Sequence, residues 1–148
     1  MLAGAYCAAD QPSPNQSGVI GKPFHVSASV TAFCALKPPA PMCEAFAPQL
    51  AEFLAESRDD RWAAPVERLI AKSMLVKGKP WAQIRALECR RTRCALEYAV
   101  NAKDLGADVD GNEELDRLME STGGVMVPDP SSTSGGGMLV SVLIWRKH

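Results

Sequence analysis

Between Ile84 and Val100, two runs of strand-forming residues flank a short basic stretch, Arg90-Arg91-Thr92-Arg93. Strand side chains alternate faces with period 2. The pattern therefore predicts a β-hairpin with Cys89 and Cys94 at the feet of its turn. With Cys89 opposite Cys94, Leu87 faces Leu96, Arg85 faces Tyr98 and Gln83 faces Val100, all on one side of the ribbon. The other side carries Ala86 against Glu97 and Glu88 against Ala95, a smaller and more polar set. One face is then expected to be buried and the other wetted, as an antiparallel sheet permits. Directly opposed residues lie about 4.5–5.5 Å apart at Cα, within the span of a disulfide. A slip of one residue would put the two cysteines on opposite faces.

The same reading extends along the chain. Met1 to Pro23 is an extended, proline-rich arm with turn signals at Pro12-Ser13-Pro14-Asn15 and Gly18. It is expected to lie along its own domain or a partner. Val26 to Leu36 is apolar and fits either a short helix or a buried strand. Lys37-Pro38-Pro39-Ala40-Pro41 is a stiff link, and a disulfide between Cys34 and Cys43 would staple it. Phe46, Leu50, Phe53 and Leu54 then follow helical spacing, with Glu52 and Glu56 expected outward. A second helix is capped by Asp59 or Asp60, carries the stripe Trp62, Val66, Leu69, Ile70 and Met74, and stops at Lys77-Gly78-Lys79-Pro80.

After the hairpin comes an acidic loop from Asn101 to Asn112. Asp110 or Asn112 caps a helix with Leu115, Leu118 and Met119, stopped by Gly123-Gly124. Val125-Met126-Val127 is a short strand ended by Pro128 and Pro130, and Ser131 to Gly137 is a flexible loop. Met138 to Trp145 is nearly all apolar, as suits a central strand buried on both faces. The predicted fold class is α+β: an antiparallel sheet of about four strands with helices packed on one side, in the order α-α-β-β-α-β-β. Residues 1–25 form the N-terminal arm and 26–148 a single domain.

Composition changes the picture in two ways. The first 50 residues hold seven of the eleven prolines but only four of the 33 charged residues, so the front of the chain is unusually neutral. Five cysteines in 148 residues, without a zinc-binding spacing, point to an oxidising compartment: periplasm, cell surface or the secreted space. Cys89–Cys94 and Cys34–Cys43 are the natural local pairs, which leaves Cys7 over. The net charge of −1 gives no case for nucleic acid, and no run reaches the roughly 18 apolar residues of a membrane span. Val26 to Leu36 faintly echoes a signal-peptide core but lacks a small-residue cleavage site, and Tyr6 beside Cys7 argues against a lipoprotein signal. An export signal removed ahead of Met1 fits the cysteines; free thiols in the cytosol are the alternative.

Each candidate site has a plain structural counterpart. Cys89 and Cys94 near three arginines could form a redox pair, but such pairs usually stand at a helix N-terminus with a two-residue gap, so a structural bond is expected. Arg85, Arg90, Arg91 and Arg93 make the one basic cluster. It could contact an anion or a partner, although a charged hairpin tip is more often simply solvated. Asp108-Val109-Asp110-Gly111-Asn112 suggests a calcium loop, but aligning Gly111 to the sixth place puts Gly106 first and Arg117 twelfth, and both are wrong. His25 with Cys34 and Cys43 matches no known metal spacing. Asn15-Gln16-Ser17 fits a glycosylation triplet, a pattern common by chance. No nucleophile–base arrangement, phosphate loop or HExxH motif is present, so neither a cofactor nor a metal is expected and the balance leans against an enzyme.

From about Ser57 onward, three features carry a resemblance: the Arg58-Asp59-Asp60-Arg61-Trp62-Ala63 helix start, the Glu88-Cys89-Arg90…Cys94-Ala95-Leu96-Glu97 hairpin, and the closing strand ending in Trp145-Arg146. In these the chain resembles small exported or membrane-anchored bacterial domains of unknown function, frequent in proteobacteria and myxobacteria. The resemblance implies an exported disulfide domain and assigns no catalytic residues. The expected role is a non-enzymatic accessory or interaction subunit that meets other protein subunits through its arm, with any membrane association coming through a partner. A thiol-redox protein and an anion-binding module are the alternatives.

Overall fold

The computed structural model describes residues 18–76, 79–104, 113–131 and 136–147. Its centre is the pair of strands β4 (Arg93–Asn101) and β6 (Gly137–Arg146), registered without interruption from Arg93 opposite Trp145 to Asn101 opposite Gly137. β3 (Ala82–Cys89) and β5 (Met119–Pro128) are added at the edges, so the antiparallel sheet runs β3-β4-β6-β5. Three helices precede it: α1 (Ala28–Cys34), α2 (Pro41–Ala55) and α3 (Asp60–Ser73). A small hairpin of β1 (Leu75–Val76) and β2 (Lys79–Pro80) joins α3 to β3, and α4 (Glu113–Leu118) leads into β5. The class is α+β and the element order is the expected one, with α1 resolving the apolar run after Val26 as a helix. Ser27 caps it by accepting from the Val30 N–H.

Helices cover both faces of the sheet, not one. Cys94, Leu96, Tyr98 and Val100 of β4, with Val142 and Ile144 of β6, pack against Val66, Ile70 and Met74 of the α3 side and Leu115 of α4. The alternate residues Ala95, Leu139 and Leu143 pack with Phe24, Val30, Phe46 and Phe53 on the α1–α2 side. The reason lies in the central strands. Both of their faces are uncharged over most of their length, so each face needs cover. The hairpin face expected to be wet is likewise covered. Ala95 is fully buried, and Glu97 and Glu88 are 3% and 7% exposed.

Near the turn the hairpin register is as expected, with Cys89 opposite Cys94, Glu88 opposite Ala95, Leu87 opposite Leu96 and Ala86 opposite Glu97. Beyond it a β-bulge between Ile84 and Ala86 sets Ile84, not Arg85, opposite Tyr98, and Gln83 opposite Ala99 instead of Val100. The extra residue turns Ile84 into the core beneath α3, where it is 1% exposed. Arg85 is expelled to the surface, where it bonds Ser131 and pairs with Asp129. Burying Ile84 in place of an arginine is worth about 1.5–3 kcal/mol before any ionic cost.

Two further boundaries move. The last helix ends at Leu118, and Met119 already belongs to β5, opposite Arg146. Gly123-Gly124 is therefore no helix stop but an irregularity inside a ten-residue strand, with Gly123 at φ 92°. There a Cβ on Gly124 would collide with the Ser141 carbonyl oxygen of β6. Replacing Gly124 with alanine is expected to cost about 1–3 kcal/mol in urea unfolding, because backbone cannot yield as a side chain does. An unchanged midpoint would show that the strands separate freely at this point. At the front of the chain, Ile20 makes a parallel bridge with Leu87, and the Gly21 N–H donates to the Leu87 carbonyl at 2.8 Å. Phe24 is buried against Phe53. The packed body thus starts before Val26, and the described end of the arm lies along its own domain.

Candidate functional site

The hairpin turn and the helix ends beneath it hold most of the buried charge. Both predicted disulfides are present, Cys34–Cys43 tying α1 to α2 and Cys89–Cys94 closing the turn. Cys89 and Cys94 are fully buried, so no reductant reaches their sulfurs without opening the core. The pairing of Cys34 with Cys43 also removes the thiolates that a metal site with His25 would need. Among the described residues no group of three or more His, Cys, Asp or Glu side chains is placed to hold a metal. The calcium-like stretch, the glycosylation triplet and Cys7 lie outside the described residues.

Half of the basic cluster is turned inward. Arg90 donates to the carbonyls of Phe53 (3.4 Å), Leu54 (2.7 Å) and Glu56 (3.2 Å), which caps the C-terminal end of α2. The Phe53 carbonyl also accepts from the Glu56 N–H, and the helix dipole favours a cation at this end. The same guanidinium pairs with Glu88 at 3.2 Å and lies over the Phe53 ring. Arg93 reaches Glu52 at 2.7 Å and Glu56 at 3.2 Å, and stacks 3.8 Å from the centroid of Trp145. Glu56, expected outward, also accepts from Thr92 N–H and Oγ1. Only Arg91 and Arg85 present exposed side chains to solvent. Arginines close in sequence thus do different things.

Three buried carboxylates act as receivers for backbone. Glu88 accepts the Phe24 N–H at 2.9 Å, and Glu97 accepts the Ser27 N–H at 3.2 Å and the Ser141 hydroxyl at 2.5 Å. Together they hold the N-terminal segment on the sheet. On the opposite face Glu67 of α3, 3% exposed, accepts the Cys89 N–H at 2.8 Å. Arg58 grips both oxygens of Glu67, at 2.6 and 2.8 Å, and gives a further bond to the Cys89 carbonyl at 3.1 Å. The hydrogen bonds it donates to Glu67 raise the Arg58 pKa well above its usual value; burial opposes the rise and Asp60 adds to it. The pair so replaces a neighbouring strand at the edge of β3. Sequence reasoning passed over Glu67, Glu88 and Glu97 as receivers. A signal existed for Glu67, which falls four residues from both Ala63 and Ala71 on the buried stripe of its helix.

The α1–α2 layer carries an apolar groove. A groove of about 290 Å³ between α1 and α2 is lined by Val26, Val30, Thr31, Cys34, Ala35, Phe46 and Leu50, none of them titratable. Leu36, Met42 and Leu54 on the same layer are 60%, 41% and 48% exposed. No described helix is long and apolar enough to cross a membrane. Comparison with protein-family models, with curated proteins and with solved structures found no match for this chain. The two disulfides are compatible with an oxidising, exported location.

Proposed function

We propose that this domain is a non-enzymatic accessory or interaction subunit of an exported protein assembly, periplasmic or on the cell surface. The observation that carries the reading is the outer layer formed by α1 and α2. From Val26 to Ala51 the only charged residues are Lys37 and Glu44, and large apolar side chains stand exposed on this layer. Contiguous exposed apolar surface marks interaction sites. The side chains that could do chemistry support the same view from the other direction: Arg58, Glu67, Glu88, Arg90, Arg93 and Glu97 are spent on the backbone and on one another. An anion site at the turn would have to draw Arg90 or Arg93 away from those partners. The resemblance to exported bacterial disulfide domains agrees with this assignment.

Photo-crosslinkers placed singly at Leu36, Leu54 and, as a control, the exposed Arg117 of α4 test the reading in the producing cell. Crosslinks to another protein subunit are expected from Leu36 and Leu54 and not from Arg117. An α1–α2 layer that captures nothing, in protein that is correctly disulfide-bonded, would remove the proposal.

A further inference from the structure

The chain treats the two edges of its sheet differently. Along β3 the backbone is covered, with Gly21 bonded to Leu87 and with the N–H and carbonyl of Cys89 taken by Glu67 and Arg58. Along β5 the regular stretch Gly124–Pro128 bonds to β6 on one side, and its outer side makes no hydrogen bond to any described residue. An open edge is a template for another strand, and proteins that stay apart usually blunt it with lysine or inward charges. This stretch has no charge at all. Met126, 42% exposed, stands on one face of it. On the other, a groove of about 220 Å³ lined by Met42, Ala45, Phe46, Gln49, Gly123 and Gly124 runs beside the edge.

We propose that the β5 edge pairs antiparallel with the β5 edge of a second copy of this chain, joining two four-stranded sheets into one of eight strands. The stretch is self-complementary. Centred on Met126, a two-fold pairing sets Val125 opposite Val127 of the second copy, a favourable β-branched pair, and Met126 opposite its own equivalent. Gly124 then faces Pro128 of the other chain, so the residue that lacks an N–H falls at the end of the ladder and next to the uncharged groove. No like charges meet anywhere in the paired stretch, as a symmetric interface requires. The proposal rests on the interaction reading above and names one partner for it.

Sedimentation velocity on the full, oxidised chain, with and without Met126→Lys, tests the pairing. The wild type is expected to show a concentration-dependent dimer with a slowly exchanging amide at Met126, whose N–H points to the outer edge. Met126→Lys, which sets two ammonium groups against each other at the two-fold axis, is expected to weaken the dimer at least about tenfold while leaving the unfolding midpoint in place. A wild type that is monomeric at every concentration, or a dimer that Met126→Lys leaves equally tight, overturns the proposal. So does a monomer that binds an unrelated extended peptide along β5. If the crosslinks from Leu36 and Leu54 persist in a monomeric protein, the self-pairing fails and the wider interaction role stands; a dimer without those crosslinks gives the reverse.

Discussion

Replacing Arg58 with methionine is expected to lower the unfolding free energy by about 3–5 kcal/mol, read from the urea midpoint at constant m-value. The cost does not come from losing a surface ion pair, which is worth about 0–1 kcal/mol. It comes from Glu67, which is 3% exposed and would be left as a buried carboxylate with one neutral donor, the Cys89 N–H. The Arg58 side chain is 29% exposed, so its removal opens a way for water, and the effect should fall toward the lower end of that range. Two companions identify the mechanism. Glu67→Gln keeps an oxygen for the Cys89 N–H and should cost less than Arg58→Met. Arg58→Met combined with Glu67→Leu should also cost less than Arg58→Met alone, because no charge is then stranded; what remains is the unpaired Cys89 N–H, about 1–3 kcal/mol. If Arg58→Met moved stability by less than about 0.5 kcal/mol, as a surface substitution does, the pair would not be holding the β3 edge.

How much of this was legible in the sequence depended on whether neighbours in the chain or distant elements decide the outcome. The turn register was legible because Cys89, Cys94, Leu87 and Leu96 agree within one hairpin. The bulge at Arg85 was not. Local alternation accepts either Ile84 or Arg85 on the inner face, and the choice is made by α3, whose Val66 and Ile70 share that cluster. Cover on both faces was half legible. The apolar run of β6 announced it, while Ala86, Ala95, Glu88 and Glu97 suggested solvent. Small residues there let α2 come close, and the carboxylates find their donors 64 and 70 residues away, at Phe24 and Ser27. Such distances leave no periodic trace. Met119 continued the helical spacing of Leu115 and Leu118, yet pairing with Arg146 claimed it for the sheet. The arginines of the turn stand close together in the sequence, but that sequence says nothing of the α2 carbonyls that take Arg90.

Reducing both disulfides is expected to remove about 5 kcal/mol, a sizeable share of the 5–15 kcal/mol by which a domain is ordinarily stable. The loops are short, with sequence separations of 9 and 5 residues, so chain entropy assigns each bond only about 2–3 kcal/mol. The two losses should nevertheless look different. α1 has seven residues, too few to stand alone, and Cys34 is its last residue. Without the bond to Cys43 it keeps its hold through Val30, the Ser27 cap and the preceding strand-bound segment. Cys34→Ala with Cys43→Ala should therefore speed amide exchange in α1 first and leave the hairpin amides unchanged. The hairpin is already closed by the Arg90 N–H to Arg93 carbonyl bond at 2.8 Å and by its ladder to Leu87 and beyond. Cys89→Ala with Cys94→Ala should act through the core instead, since both residues are fully buried, and lower global stability without a local opening. Urea unfolding with and without reductant, followed by exchange on the two alanine pairs, separates these effects. Equal midpoints in oxidised and reduced protein would mean that neither bond stabilises the fold. The structural argument for an oxidising compartment would then lose its footing, because a chain that folds as well with free thiols has no need of one.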